Sequence, residues 1–317
     1  MKISYLINKI INKFEIYSIR KFKVLENFYC LNKIPVEVRS IGFYFPNYQM
    51  MHHGDHLFFE PMMRFLRDQG YDVFVKPIKS MEFYFRELGY EIGSDDEIFS
   101  TDLIISKVEW STLIRRKYSA YPVLMVETAD NSIGSPLCDD LILKISKILG
   151  IKSDNFNSQP SMIHPTLSPQ INAQIEKNAK YYLFNNYLDS GFFRLNFFKK
   201  RKLLYFMKTK KKSENILVIH TGSKLDLEND PKQYDFVDID LRGKTSLSDI
   251  FSLVSNDSVI GNVSYDAFQM HLFFMVQKKS FIKFRGRFFL KNEKFVKDYI
   301  NPPFQYNGNI NELIEYL

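Results

Sequence analysis

Two short stretches of this sequence gather side chains that can move a proton or hold an anion. The first is His52-His53-Gly54-Asp55-His56, which follows an apolar run closed by Pro46-Asn47. A carboxylate in such a loop can take a proton from a hydroxyl. Gly54 lets the backbone turn tightly or come close to a ligand, and His53 and His56 can touch the molecule that carries the hydroxyl. The same Asp55 can instead serve only as the N-cap of the following helix. His52, His53 and His56 beside one carboxylate also suggest a metal, but their spacing fits no familiar ligand pattern.

The second stretch runs from Gly261-Asn262 through Asp266-Ala267-Phe268-Gln269-Met270-His271. It reads as the exit from a short strand, Val259-Ile260, and the opening of a helix over 267–276. The start of a helix presents unpaired N–H groups and the positive end of a dipole, which suits a diphosphate. His271 can donate to a phosphate or ribose oxygen. The plainer account has Asp266 capping the helix and His271 packed at a sheet edge. Thr221-Gly222 and Asn185-Asn186 follow two further apolar runs and can contact a base or a phosphate, as can Lys283 to Arg287 after the last run.

These residues need elements to place them. Short apolar runs alternate with helical patterns along the whole chain, which means βαβ units and parallel sheets. Strands are expected at 38–45, 72–75, 103–105, 123–126, 181–184, 216–219, 237–239, 259–260 and 281–284. Helices are expected from about Leu57 to Asp68, then at 80–88, 111–117, 139–149, 168–179, 197–209, 246–255, 267–276 and 311–316. With 317 residues, two domains are the natural expectation. The segment 151–169, rich in Ser, Asn and Pro, reads as the connection. The division expected is a basic amphipathic extension over 1–35, an N-terminal domain over 36–165 and a C-terminal domain over 166–317. Ligands of open α/β sheets bind beyond the carboxyl ends of the strands, where the singled-out residues fall.

Composition narrows the classes. With 45% hydrophobic and 25% charged residues, the chain has the balance of a folded soluble domain. No run of about 18 apolar residues is free of charge, so no membrane-spanning helix is expected. Lys9, Lys13, Glu15, Arg20 and Lys21 break any signal-peptide core, so a cytoplasmic location is expected, with Cys30 and Cys138 as reduced thiols. The net charge of +7 gathers at the N-terminus and between Lys199 and Lys212. Such a surface suits an anionic inner-membrane leaflet or a phosphorylated substrate, while the absence of any reader motif speaks against nucleic acid. No GxxxxGK[ST], GxGxxG or GxSxG motif is present, which argues against a phosphate-loop hydrolase, an ordinary dehydrogenase and an α/β-hydrolase.

Three collinear motifs carry a family likeness. The stretch from Gly54-Asp55 through Pro61 and Arg64 to Leu66 resembles the opening signature of the lipopolysaccharide heptosyltransferases, glycosyltransferase family nine. Asp240-Leu241-Arg242-Gly243-Lys244-Thr245-Ser246-Leu247 is similar to a later segment of that family, and Asp266 to His271 to its last motif. The resemblance implies two Rossmann-like domains facing each other across a cleft, the GT-B type. It implies inverting transfer from a nucleotide-sugar donor to a glycolipid or oligosaccharide acceptor, with no cofactor and no metal. Asp55 would be the base, with His53, Gly54 and His56 toward the acceptor. Asp266, His271 and the amides near Ala267 and Phe268 would hold the donor, with Gly261, Asn262, Thr221, Gly222 and Asn185 beside them. Val263-Ser264-Tyr265 lengthen the last motif, and Ala267-Phe268 replace its usual Thr-Gly, so the chain reads as a divergent member. The alternative reading is an inactive relative that serves as a binding or assembly factor in surface polysaccharide synthesis.

Overall fold

The structure, a computed structural model, describes residues 19–45, 52–108, 120–127, 137–176, 179–186, 197–265, 267–283 and 314–317. The chain divides into two compact units, with the boundary between Ser161 and Met162.

The first unit holds seven strands: β1 (Lys23–Leu25), β2 (Phe28–Cys30), β3 (Ser40–Tyr44), β4 (Asp72–Lys76), β5 (Glu91–Ile92), β6 (Leu103–Lys107) and β7 (Val123–Val126). Their order across the sheet is β1-β2-β7-β6-β3-β4-β5. The strands from β3 to β7 run parallel, and β2 joins β7 antiparallel. Residues 23–30, within the span expected as an extension, are therefore sheet strands. The chain builds β3, β4 and β5 outward in one direction, then returns to lay β6 on the other side of β3. Strand order thus reverses between β3 and β6, and open α/β sheets place ligands at that point. Gly42 permits close packing there, since a Cβ on it would lie 2.8 Å from Thr101 Oγ1 and 3.0 Å from the Ile98 carbonyl oxygen.

Helix α1 (His53–Asp68) follows β3. It starts four residues before the apolar pattern and continues through Pro61. Its first turn is closed by polar groups that a hydrophobic pattern does not register. Among the described residues, helices α2 (Glu82–Glu87), α3 (Asp95–Phe99) and α4 (Leu137–Leu149) follow. The helix expected at 111–117 and the amphipathic segment at the N-terminus lie outside the described residues.

Glu60, on the buried side of α1, ties the end of the first unit to its core. Its carboxylate accepts hydrogen bonds from Arg64 Nε at 3.1 Å, Tyr90 Oη at 3.3 Å, and the Ser161 N–H and hydroxyl at 3.0 and 3.2 Å. Arg64 in turn donates to the carbonyls of Asn157 and Gln159. Sequence alone reads this stretch as linker, and in the fold it is latched.

The second unit has six parallel strands: β8 (Tyr181–Phe184), β9 (Leu217–His220), β10 (Ile239–Asp240), β11 (Val259–Tyr265), β12 (Lys279–Lys283) and β13 (Ile314–Tyr316). Their order is β10-β9-β8-β11-β12-β13, so the reversal falls between β8 and β11. Helices α5 (Pro169–Asn172), α6 (Phe197–Glu214), α7 (Lys224–Asn229), α8 (Leu247–Ser255) and α9 (Phe268–Met275) connect them. Ser246 caps α8 through the Asp249 N–H, and Asp249 returns the bond to the Ser246 N–H at 2.9 Å, as the spacing predicts.

Three expectations change here. The terminal helix at 311–316 is an edge strand, because Ile314–Tyr316 pairs in register with Ser280–Ile282. The helix at 168–179 stops at Asn172, and the Tyr181 hydroxyl receives the Glu176 N–H at 2.9 Å. Most consequentially, β11 continues to Tyr265, so Gly261 and Asn262 lie inside the strand rather than at its exit.

Replacing Glu60 with Ala strands Arg64, Tyr90 and the Ser161 amide. We expect a loss of about 2–4 kcal/mol in stability, measured by urea denaturation. A variant as stable as the parent would show the latch to be idle.

Candidate functional site

In the first unit the reversal between β3 and β6 brings together two charged side chains. Lys107 closes β6, and Asp55 occupies the third residue of α1, the helix that leaves β3. Lys107 Nζ donates to Asp55 Oδ2 at 2.9 Å, and both side chains are largely buried. The same Oδ2 accepts the His52 N–H at 3.0 Å. Asp55 is thus the reciprocal partner of the cap, and His52 is the N-cap residue itself. Among the described residues, Oδ1 receives no hydrogen bond. One oxygen is anchored and the other keeps its lone pairs. Burial alone would raise the carboxyl pKa. The Lys107 ammonium and the two donated hydrogen bonds outweigh it and hold the group below its ordinary value. Asp55 is therefore ionised at neutral pH.

Its neighbours divide. His56 is fully buried, its Nδ1 lying 3.0 Å from the His52 carbonyl and its Nε2 3.3 Å from the Ile78 N–H. The carbonyl needs a donor and the amide needs an acceptor, so Nδ1 carries the proton and the ring is neutral. Burial pushes its pKa down to about 4. His56 is a bracket between α1 and the Ile78 turn, which corrects the acceptor contact expected for it. His53 stays half-exposed, 3.1 Å from the Ser80 hydroxyl, and Gly54 lies beside it in the first turn. No group of three His, Cys, Asp or Glu able to hold a metal ion forms among the described residues.

In the second unit the residues expected around a donor fall into two sets. Gly261, Asn262 and Thr221 are buried, and Gly222 is half-buried. A Cβ on Gly261 would meet the Tyr182 ring at 2.4 Å, and one on Gly222 would meet Asp226 Oδ2 at 2.5 Å. Thr221 donates to Gln269 Oε1 at 2.6 Å, Gln269 Nε2 to Asn262 Oδ1 at 2.7 Å, and Asn262 Nδ2 to the Ser264 hydroxyl at 2.9 Å. This buried chain ties α9 to β11 and leaves those groups engaged within the fold. Ala267, Phe268 and His271 form the other set. Ala267 is the N-cap of α9 in extended backbone, and its own side chain makes no cap hydrogen bond. Phe268 and His271 are half-buried, with the Phe268 ring edge-on to Phe251 at 5.8 Å. Asp266 lies outside the described residues. The half-buried Asn185 continues from β8, its N–H donating to the Val263 carbonyl at 3.0 Å.

A polar cluster that sequence reasoning missed stands at the same sheet end. Asp230 Oδ2 collects Lys200 Nζ at 2.7 Å, the Tyr234 hydroxyl at 2.7 Å and Asn186 Nδ2 at 2.8 Å. Asn186 Oδ1 then faces His220 Nε2 at 3.0 Å. Because the Asn186 amide nitrogen is spent on Asp230 and Tyr234, its oxygen must accept, and Nε2 carries the His220 proton. Burial, reinforced by the Arg242 charge, drives the His220 pKa down to about 3. Arg242, fully buried, grips Asp240 through two nitrogens at 2.9 and 2.6 Å and also binds the backbone carbonyls of Asp230 and Lys232.

With both sites described, known structures can be compared. The chain is similar to a family nine glycosyltransferase from Veillonella parvula. The identity is 13% and the TM-score 0.53, over 85% of this chain and 92% of that one. It is also similar to the ADP-heptose lipopolysaccharide heptosyltransferase II of E. coli, at 11% identity and TM-score 0.50, over 77% of this chain and 84% of that one. The fold is shared with the family nine glycosyltransferases. No family profile and no curated protein matches the sequence.

Lys107 carried a readable signal: a lysine ending an apolar strand on the same sheet edge as Asp55. Of the Asp230 cluster, Asn186 and Arg242 stand in stretches the sequence singles out, but their meeting with Asp230, Lys200, Tyr234 and His220 carried no signal, since the members are scattered over 186–242.

His56 and His220 give a pH signature. Their folded pKa values, about 4 and about 3, lie below the ordinary 6.5. The unfolded chain therefore takes up protons first, and stability present above the ordinary value is lost as pH falls. Between about pH 7.5 and about pH 5.5 the loss is roughly 1.4 kcal/mol per histidine. Thermal melts of a His220→Gln variant should show about half the parent's pH slope. An unaltered slope would remove His220 as a source.

Proposed function

We propose that this chain is an inverting, metal-independent glycosyltransferase. It would transfer a sugar from a nucleotide-sugar to a hydroxyl of a lipopolysaccharide core, an O-antigen or another cell-surface glycan. The observation that carries the reading is the state of Asp55: ionised, fixed through Oδ2, without a hydrogen bond at Oδ1 among the described residues, and set where the strand order reverses. Asp55 Oδ1 takes the proton of the acceptor hydroxyl as that oxygen attacks the anomeric carbon. The bond from that carbon to the diphosphate oxygen breaks, and its electron pair leaves with the nucleoside diphosphate. Attack opposite the leaving group inverts the centre. The start of α9 at Ala267 and Phe268, with Asp266 and His271, would receive the diphosphate charge at the positive end of the helix dipole. The shared fold and the three motifs support this assignment of halves. The enzyme would work in the cytoplasm, in peripheral contact with the anionic inner face of the membrane.

Lys107 has a defined part in this scheme. It positions the carboxylate and keeps it ionised despite burial, and it limits how strong a base Asp55 can be. A donor panel of ADP-, UDP-, GDP- and dTDP-sugars, screened by thermal shift, should yield one class that stabilises the protein. Asp55→Ala should keep that shift while transfer to acceptor falls roughly 100- to 10,000-fold. Undiminished transfer would take Asp55 out of the mechanism. Absence of any donor shift would favour the inactive, assembly-factor reading.

Lys107→Met tests the coupling. Without the ammonium, burial raises the Asp55 pKa, and the acidic limb of the kcat/KM profile moves to higher pH. A limb that stays in place would show that Lys107 does not set the base.

A further inference from the structure

Helix α6 (Phe197–Glu214) presents two different sets of basic side chains. One set is consumed within the fold. Lys200 binds Asp230, Lys210 binds Glu214, and Lys211 binds Asp238. Lys210 also lies 4.3 Å above the Phe281 ring. Leu203 and Met207, on the same side, are fully buried. The second set faces outward. Arg201, Tyr205, Lys208 and Lys212 follow at steps of four, three and four residues, which align on one helix face, and all are exposed. Lys202 flanks them. Arg201, Lys202 and Lys212 have no acidic partner among the described residues, and Lys208 touches only the rim residue Asp235 at 2.5 Å. At the centre of this stripe Tyr205 is 73% exposed.

A helix face that merely meets water usually intersperses both charge signs. This one is basic over about 17 Å, by the rise of a helix, and carries no acid of its own. The aromatic ring at its centre has an apolar body and a polar tip, the form that rests at the headgroup level of a bilayer. Long basic side chains around it can spread onto phosphate groups while their stems lie along the surface. We infer that the outward face of α6, formed by Arg201, Lys202, Tyr205, Lys208 and Lys212, docks on an anionic phospholipid surface. The inference gives a site to the membrane contact proposed above and does not depend on the transfer chemistry.

The test is co-sedimentation of the full chain with vesicles of phosphatidylcholine alone or mixed with phosphatidylglycerol. Binding is expected to the mixed vesicles only, and to weaken as salt is raised. Each basic side chain near an anionic leaflet is worth roughly a fivefold change in partition. The triple variant Arg201→Glu, Lys208→Glu, Lys212→Glu should therefore bind at least on the order of a hundredfold more weakly. Tyr205→Ser should bind several-fold more weakly. The variant Lys33→Glu, Lys147→Glu, Lys152→Glu makes the same change in net charge at exposed positions of the other unit and should bind as the parent does. Equal melting temperatures establish that each variant is folded. Three results would overturn the inference: no binding by the parent, equal losses in both triple variants, or parent-like binding by the α6 variant. Tighter binding of generic duplex DNA than of anionic vesicles, abolished by the same α6 substitutions, would also overturn it.

Discussion

A buried carboxylate kept charged by one lysine is the constraint around which the first unit's sheet end is arranged. Asp55 would be neutral in an apolar setting, since desolvation penalises its ionised form. Lys107 reverses that outcome from a different strand. The pairing exists because β6 is laid beside β3, so the end of one strand meets the helix leaving the other. Both donated bonds converge on Oδ2, and among the described residues Oδ1 receives none.

The second unit solves a related problem with a network. Asp230 gathers a lysine, a tyrosine and an asparagine, and Arg242 fastens the segment that carries it. His220 is kept neutral inside this network by burial and by the arginine. The arrangement stiffens the C-terminal ends of β8 and β9, next to the reversal at β11. Nearby, the chain from Thr221 through Gln269 and Asn262 to Ser264 locks α9 onto its strand. Residues that look like ligand contacts in a linear motif thus maintain the platform from which a ligand would be met.

Helix α6 connects the two scales of charge in this protein. Its inward lysines are tied to Asp230, Glu214 and Asp238, so they help build the unit. Of its outward residues, Lys208 reaches Asp235, while Arg201, Lys202 and Lys212 have no acidic partner among the described residues. A lysine-rich run in the sequence therefore holds an inward and an outward set interleaved at helical spacing.

Taken alone, the sequence determined the alternation of strands and helices, the two-part chain and the location of Asp55 at a strand exit. These follow from local periodicity, turn residues and caps, which act over a few neighbouring positions. The Ser246 cap and the β8 run were readable for that reason. Tertiary structure alone decided that β11 extends through Gly261 and Asn262, because β8 and β12 pair with it on both sides there, and the Tyr182 ring leaves no room for a Cβ at 261. It decided that Ile314–Tyr316 is a strand, because an open sheet edge was waiting. It also decided that His56 braces the fold, and that Lys107 and Arg242 govern the charge of residues far away in the chain. Desolvation and ion pairing depend on which side chains meet, and that is set by strand order rather than by neighbours in sequence.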